Sequence, residues 1–167
     1  MHHTDLDMDV STASRFHLGE VLFSIFFRVA VVGLFGLGIW TLAAYNLLFS
    51  VANQFQHSNW RLPIRVERVL NLFFVTPRMH GIHHSIVQRE TNSNWGTVFR
   101  WWDQIHGTLR IDIPPAALTI GVAAFRDEDE LTFGKRFILP FRKQRAWQLP
   151  SGEVPNRKPS PASELAP

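Results

Sequence analysis

Eight histidines are the residues of this 167-residue chain whose type and spacing point most directly to chemistry. Three of them fall within residues 80–84, in the pattern HxxHH. On a helix, positions i, i+3 and i+4 lie within about one-third of the circumference, so His80, His83 and His84 would project from one face. Neutral imidazole is a common ligand of iron, zinc and copper. The pattern therefore predicts a transition-metal site if another element supplies further ligands; a surface cluster without a role is the alternative.

The other histidines divide into possible ligands and structural residues. His2 and His3 form a second adjacent pair, and His57 follows a long apolar stretch. If that stretch turns back on itself, these three side chains and the histidines of residues 80–84 can converge on one site. Alternatively, His2 and His3 are an ordinary N-terminus or a tag remnant. Two histidines are predicted to have no ligand role, one at a membrane interface and one in a turn-like segment: His17 and His106.

Composition excludes several other kinds of site. The chain has no Cys, which excludes a disulfide scaffold, a thiolate metal site and a Cys nucleophile. A net charge of +3 is too small to indicate nucleic acid as a partner. The hydrophobic share of 46% is ordinary, but it is concentrated: between Val21 and Trp60 the only charged residue is Arg28. This distribution indicates a membrane segment rather than an even mixture of core and surface.

The elements that must position the histidines begin with this apolar stretch. A single helix over residues 18–56 would be roughly 58 Å long, nearly twice a hydrocarbon core of about 30 Å. Gly33, Gly36 and Gly38 lie near its middle, where a turn is easiest. The sequence therefore predicts an integral-membrane helical hairpin over about residues 18–56. A buried hairpin in a soluble protein is the alternative.

Basic residues predict the orientation of the hairpin. Arg15 precedes it, whereas Arg61, Arg65 and Arg68 follow it, and no basic residue lies in the turn. The positive-inside rule then places both ends on the cytoplasmic side. We therefore expect the metal site to lie on the cytoplasmic face.

The rest of the chain predicts short cytoplasmic helices and a tail. Residues 64–75 have the pattern of an amphipathic helix, and the aromatic residues of 95–102 recur at helical spacing, either on the membrane surface or in a core. Residues 150–167 hold five of the ten prolines, which predicts disorder. The expected fold is all-α, with a membrane domain over residues 1–149, a metal-binding region over about 57–110 and a disordered tail over 150–167.

Several segments occur in an order that is similar to one known family. They are residues 2–9 (HHTDLDMD), 15–17 (RFH), 55–59 (FQHSN), 77–85 (PRMHGIHHS), 94–96 (NWG) and 102–108 (WDQIHGT). Together they resemble the C-terminal half of the sterol desaturase/fatty acid hydroxylase superfamily, over about residues 2–142. Its members are integral membrane proteins whose histidine boxes, on the cytosolic face, hold a two-metal centre, normally di-iron. They use O₂ to hydroxylate or desaturate lipid chains or sterols.

The resemblance implies a ligand set and a function for this chain. Six histidines match the family's boxes: His80, His83 and His84 the last box, His57 the isolated histidine after the hairpin, and His2 and His3 the end of the middle box. The implied protein is a non-haem di-iron oxidoreductase, a hydroxylase or desaturase of a lipid or sterol. Iron is its cofactor, with zinc as a possible substitute. Its partners are O₂, the membrane and a separate electron donor, because the chain shows no flavin, haem or ferredoxin motif. Four residues are candidates for orienting the imidazoles, with a capping or surface role as the alternative for each: Asp5, Asp7, Asn59 and Asn94.

The sequence departs from the family pattern at its N-terminal end. An earlier HxxxH box, the first histidine of the middle box and preceding transmembrane helices are not among these residues, and Asn53 stands where some relatives have histidine. We therefore expect an N-terminally truncated member, either through a start assigned too late in a longer gene or through a genuine loss. Two other interpretations stay open: a catalytically inactive membrane remnant, and a mononuclear zinc-binding membrane protein that uses residues 80–84 alone.

Overall fold

A computed structural model describes residues 2–157 of the chain. Within this range the regular structure is helical, and the backbone pairs as β-structure only at two isolated bridges, Phe74–Phe99 and Ser85–Ile120. The predicted all-α class is confirmed for these residues.

Seven α-helices follow one another in the described range. They are α1 (Leu18–Phe35), α2 (Ile39–Gln56), α3 (Ile64–Leu70), α4 (Pro77–His83), α5 (Gln88–Thr91), α6 (Trp101–His106) and α7 (Phe133–Ile138). Single turns of 3-10 helix lie at His2–Thr4, Thr12–Ser14, Pro115–Ala117, Glu128–Leu131 and Leu139–Phe141.

The two long helices separate at the glycines. Gly36 ends α1 with φ of 63°, a left-handed conformation that glycine adopts without a steric penalty, and Gly38 precedes α2. The helices are linked near their middles, where Arg28 Nη1 donates to Asn46 Oδ1 at 3.1 Å. At the other end, Asn53 Nδ2 donates to the Ala13 carbonyl at 3.0 Å. The end of α2 is therefore tied to the segment that precedes α1.

α1 has the features of a membrane-spanning helix. Among the helices of residues 2–157, it alone is both long and apolar enough to cross a membrane, judged by length and composition. None of its 18 residues is buried in the protein. α2 has the same length, but its last turns contain Asn53, Gln54 and Gln56. The apolar surface of α1 needs an apolar environment that residues 2–157 do not supply.

The protein core lies around α4 rather than between the long helices. α2 packs against α4, whose side chains Met79 and Ile82 are fully buried. The start of α4 is fixed locally, because Thr76 accepts a hydrogen bond from Met79 N and Pro77 occupies the first turn. These contacts hold α4, which carries His80 and His83, against α2.

The predicted helix over residues 95–102 is wrong for its first part, since α6 begins only at Trp101. The backbone amides of Trp95 and Gly96 donate instead to the Asp103 carboxylate, at 2.7 and 2.9 Å. Arg100 N donates to the carbonyl of Phe73 at 3.1 Å. These bonds satisfy the amides outside a helix, so the helical spacing of the aromatic residues was coincidental.

Two further segments differ from their predictions. One helix is shorter than predicted, and the start of the predicted tail is held by an ion pair. The amphipathic helix predicted over residues 64–75 ends at Leu70, and beyond it Val75 N donates to the Val98 carbonyl at 3.0 Å. Of the predicted tail, residues 158–167 lie outside the described residues. Near the start of that segment, Arg157 pairs with Glu90 at 2.8 Å, which anchors residue 157 to α5.

Candidate metal centre

Four imidazoles, carried by the first 3-10 turn, the end of α2 and α4, meet at one point. His57 Nε2 lies 3.1 Å from His2 Nε2 and 2.9 Å from His80 Nε2. His84 Nε2 lies 3.2 Å from His57 Nε2 and 3.1 Å from His80 Nε2. All four ligand atoms are within 4.8 Å of one another, so a single cation could contact every one of them.

The hydrogen bonds of two of these rings leave unprotonated nitrogens at the meeting point, an arrangement that suits a cation. His57 Nδ1 lies 2.7 Å from the Asn53 carbonyl, and His2 Nδ1 lies 2.8 Å from the Thr12 carbonyl. Because a carbonyl only accepts, both Nδ1 atoms carry the proton, and a neutral imidazole has a single N–H. Each Nε2 atom is therefore unprotonated and carries a lone pair, and the two Nε2 atoms lie 3.1 Å apart. Two lone pairs repel unless a positive ion lies between them.

The protonation states also fit a metal site. Burial lowers the pKa of His2 to about 4 and that of His3 to about 3, and neighbouring imidazoles add to the effect. Burial likewise lowers the pKa of the other four: His57, His80, His83 and His84. At neutral pH all six rings are uncharged, which is the form that binds a metal.

The size of the group is that of a metal coordination shell. Four nitrogens placed about 2.0–2.1 Å from a tetrahedral ion lie roughly 3.3 Å apart. Four of the six Nε2 separations within this group run from 2.9 to 3.2 Å, and all six are within 4.8 Å. A slight expansion would therefore accommodate a first-row transition metal.

The last two predicted ligands lie directly beside this group. The His3 ring stacks on His84 with centroids 4.5 Å apart and meets the edge of His83 at 4.6 Å. His83 Nδ1 donates to the Ser93 carbonyl at 2.7 Å, which leaves its Nε2 as a lone pair. The structure thus brings together all six histidines named from the sequence. Four share one point and two stand next to it.

Three of the six imidazoles, those of His2, His57 and His83, are oriented by backbone carbonyls, which sequence reasoning missed. The carbonyls belong to Thr12, Asn53 and Ser93. Every residue has a carbonyl, so composition carries no signal for this role. Only the Asn53 carbonyl could have been expected in this role. Asn53 lies four positions before His57, and a side chain at the end of a helix can reach back to the carbonyl one turn earlier.

The four side chains expected in this orienting role act elsewhere. Asp5 pairs with Arg15 at 2.6 Å and accepts from Thr12 Oγ1 at 2.8 Å, so it holds the segment that in turn holds His2. Asn94, at φ 52°, donates to the Met79 carbonyl at 2.8 Å and so braces α4. The other two residues line a neighbouring cavity: Asp7 and Asn59.

The remaining two histidines have structural contacts. His17 caps α1, where its Nδ1 accepts from Gly19 N at 3.0 Å and its Nε2 lies 3.0 Å from the Phe137 carbonyl. His106 Nδ1 lies 2.7 Å from the Trp102 carbonyl within α6. Neither ring belongs to the metal-binding group found in the described part of the chain.

Comparisons with known proteins show which family the chain belongs to. The family model described as fatty acid hydroxylase matches residues 1–108, a range that contains both long helices and all six clustered histidines. The chain belongs to the fatty acid hydroxylase family. Lipid hydroxylation by oxidoreductases and metal dependence are typical of this family, and the histidine cluster lies inside the matched range.

A curated relative supports the same assignment. The chain is 30% identical to ornithine lipid hydroxylase OlsE of Rhizobium tropici over 122 residues, which are 73% of this chain. The match covers 36% of the relative, so the chain spans about a third of that protein's length. The comparison with solved structures found no match.

Proposed function

We propose that this chain forms part of a membrane-bound, O₂-dependent lipid hydroxylase whose metal site is the histidine cluster. The observation that carries the proposal is the convergence of four Nε2 atoms. Two of them, in His2 and His57, are unprotonated because the Nδ1 atoms of these rings donate to backbone carbonyls. In the reaction, a C–H bond of the lipid and O₂ are converted to C–OH and water. Two electrons and two protons are consumed, and a separate donor protein supplies the electrons.

Iron is the proposed metal, as a two-metal centre. His2, His57, His80 and His84 would hold one ion. His3 and His83 contribute neutral imidazoles beside it toward a second. When bound, iron supplies the activation of O₂ that an unactivated C–H bond requires. The protein's own contribution is to hold the rings neutral and correctly rotated.

The membrane placement rests on the two long helices. The exposed apolar surface of α1 and the bond between Arg28 and Asn46 support a hairpin within the bilayer. The end of α2 is tied to the segment before α1 by Asn53, and His57 caps α2. Both ends of the hairpin would therefore lie with the metal site. The positions of Arg15 and Arg61 favour the cytoplasmic face for that side.

A lipid chain is the proposed substrate, and hydroxylation the proposed reaction. The family's description and the name of the relative both concern hydroxylation of fatty acids or lipids. A metal site at the end of two apolar helices would let a lipid reach it without leaving the bilayer.

Metal analysis of the full chain, purified in detergent after growth with iron, tests the proposal. We expect bound iron, up to two ions per chain, in the unmodified protein. His80→Ala should lose most of it, because this ring contacts both His57 and His84. His106→Ala, which alters a histidine outside the cluster, is the matched control and should retain the iron.

The same preparations separate the rival functions. Lipids incubated with isotopically labelled O₂ and a chemical reductant should gain one labelled oxygen atom with the unmodified chain and none with His83→Ala. One zinc ion per chain that His83→Ala releases and His2→Ala leaves in place would instead support a mononuclear zinc protein that uses residues 80–84 alone. Absence of bound metal would support an inactive remnant and overturn the proposal.

A further inference from the structure

Residues 133–141, which form α7 and the 3-10 turn after it, leave large aromatic side chains uncovered. Phe133 and Phe141 are 79% and 75% exposed. With Phe137 they recur every four residues, which on a helical segment places them along one side. Several large apolar side chains exposed together mark an interaction surface. This surface lies beyond residues 1–108, the range that the family model matches.

The surface adjoins the start of α1. The ring of His17, which caps α1, lies 4.7 Å from the ring of Phe137 and 5.4 Å from that of Phe141, measured between ring centroids. His17 Nε2 also donates to the Phe137 carbonyl at 3.0 Å. Leu18, the first residue of α1, is 54% exposed. The exposed rings of residues 133–141 are therefore held at the level where the apolar surface of α1 begins.

Positive charge is concentrated in the same part of the chain. Residues 131–152 contain no acidic residue and five basic ones: Lys135, Arg136, Arg142, Lys143 and Arg145. Arg136 pairs with Asp5, and Arg145 pairs with Glu130. Arg142 and Lys143 are exposed and have no ion-pair partner within residues 2–157. The aromatic surface is thus followed directly by two cations that are available to an external anion.

An anionic lipid bilayer fits this combination better than a second copy of the chain. Segments that lie in a membrane interface place apolar rings among the acyl chains and Lys or Arg at the headgroups. Negatively charged lipids attract basic residues next to a membrane segment. A second copy would instead place Arg142 and Lys143 opposite the same two cations, which is unfavourable. The position beside the first turn of α1 also agrees with a bilayer that α1 enters.

We propose that residues 133–143 lie in the interface of an anionic bilayer, with the phenylalanine rings inserted and Arg142 and Lys143 at the lipid headgroups. The proposal rests on the proposed function in one respect, that α1 crosses this bilayer. It adds a second membrane contact outside the hairpin and a preference for negatively charged lipid.

This contact would also position the histidine cluster relative to the bilayer. Arg136, within α7, lies 3.5 Å from the Asp5 carboxylate, which accepts from Thr12 Oγ1 at 2.8 Å. The Thr12 carbonyl in turn orients the ring of His2. A segment that rests on the membrane surface would therefore hold the N-terminal ligands at a fixed height above the lipid.

Spin labels on the full chain test the contact without any turnover. The chain has no Cys, so a single introduced thiol is the only site for a nitroxide. Phe141→Cys is labelled and reconstituted into vesicles of phosphatidylcholine mixed with phosphatidylglycerol. Relaxation of the label by O₂, which concentrates in the bilayer, is compared with relaxation by a nickel chelate, which stays in water. We expect the ratio of the two effects to be several-fold higher than for Ser151→Cys, an exposed control position.

The role of the two cations is tested with the same label. Arg142→Gln combined with Lys143→Gln should lower the ratio at position 141, and so should vesicles of phosphatidylcholine alone. Arg89→Gln combined with Arg110→Gln removes the same charge elsewhere and should leave the ratio unchanged. An equal ratio at position 141 in both kinds of vesicle would overturn the proposal.

A label within α1, at Phe26→Cys, separates this proposal from the proposed function, since Phe26 is 71% exposed. If that label lies in lipid while position 141 lies in water, the contact of residues 133–143 is overturned and the membrane placement of α1 is retained. If both labels lie in water, both are overturned. Dipolar broadening between labels at position 141 of two chains would assign the surface to a second copy, against the proposal.

Discussion

At the scale of single residues, His57 connects the parts of the histidine cluster. Its Nε2 contacts the rings of His2, His80 and His84, while its Nδ1 is held by the Asn53 carbonyl. One ring therefore joins the N-terminal segment to α4. The cost of this arrangement falls on the metal-free protein, in which buried neutral imidazoles and facing lone pairs are left without an ion.

The stability of the metal-free chain should depend on pH through these rings. Burial lowers the pKa of His3 to about 3, whereas an unfolded histidine titrates near 6.5. Between these values the unfolded chain binds a proton that the folded chain does not, so stability is fully present above about pH 6.5 and is lost as the pH falls. Each such ring should contribute a slope of up to about 1.4 kcal/mol per pH unit. Denaturant unfolding of the chelated protein at several pH values from about 7.5 to about 5 measures it.

A comparison of two variants isolates this effect. His3→Gln should flatten the slope, because it removes one ring whose pKa is lowered. His106→Gln, at an exposed site, should leave the slope unchanged. A stability that stays constant over this pH range would contradict the expected role of the buried rings.

The site could be predicted at residue level only in part. Histidine is rare enough that the spacing of His80, His83 and His84 carries information: His80 and His84 do meet His57 and His2, and His83 lies beside them. The division of the cluster into four converging rings and two neighbours depends on side-chain rotation. For three of the rings that rotation is set by backbone carbonyls, and a carbonyl is common to every residue type.

At the scale of elements, the loop between α5 and α6 depends on one buried carboxylate. Asp103, 1% exposed, accepts hydrogen bonds from Trp95 N, Gly96 N and Thr108 Oγ1 at 2.7–2.9 Å. Gly96 has no room for a side chain, since an added Cβ would lie 2.8 Å from the Phe99 carbonyl. The loop is thereby closed around Asp103, beside the segment whose Ser93 carbonyl orients a histidine.

Removal of that carboxylate should destabilise the fold. Asp103→Ala leaves three donors without their acceptor, and we expect the free energy of unfolding to fall by about 3 kcal/mol. Thermal or denaturant unfolding in detergent measures the loss. Asp112→Ala, an exposed acid whose ion pair with Arg110 is 3.9 Å long, is the control and should change stability little. Similar effects of the two substitutions would show that the loop does not depend on Asp103.

The contrast between the long and short helices explains what the sequence could predict of the fold. The bounds of α1 and α2 agree with the predicted 18 and 56 because an uninterrupted apolar stretch divided by glycines has few alternative conformations. The segment over residues 95–100 is irregular because distant partners, Asp103 and Phe73, take its amides. Such long-range partners override local periodicity and are invisible in a sequence window.

At the scale of the whole molecule, the end of the described chain returns to α5, the helix that follows α4. Arg157 donates to both oxygens of Glu90, at 2.8 and 3.1 Å, and Glu90 is fully buried. Glu90 Oε2 also accepts from Ser85 Oγ at 2.6 Å, one residue after His84. The segment near residue 157 therefore supports the C-terminal end of α4.

Loss of the ion pair between Arg157 and Glu90 should destabilise the fold. Arg157→Ala leaves the buried Glu90 without its cation, and we expect the unfolding free energy to fall by about 3 kcal/mol. Lys at this position should recover part of the loss, because it keeps the charge but not the paired hydrogen bonds. The matched control is Arg110→Ala, which removes a 3.9 Å ion pair with the exposed Asp112 and should have little effect. A melting temperature in detergent that Arg157→Ala does not lower would contradict the role of the segment.

The convergence of the histidines also sets an order of events during synthesis. The rings of His2 and His57 are 55 residues apart in the chain, and those of His57 and His84 a further 27. Both long helices are translated between the first and last of these ligands, so His2 leaves the ribosome well before its partners exist. Closing so long a loop costs entropy, which binding of the proposed metal would offset. Under the proposed function, metal loading would therefore be a late step that follows placement of α1 and α2. A chain whose helices are misplaced would offer the ion only scattered pairs of ligands.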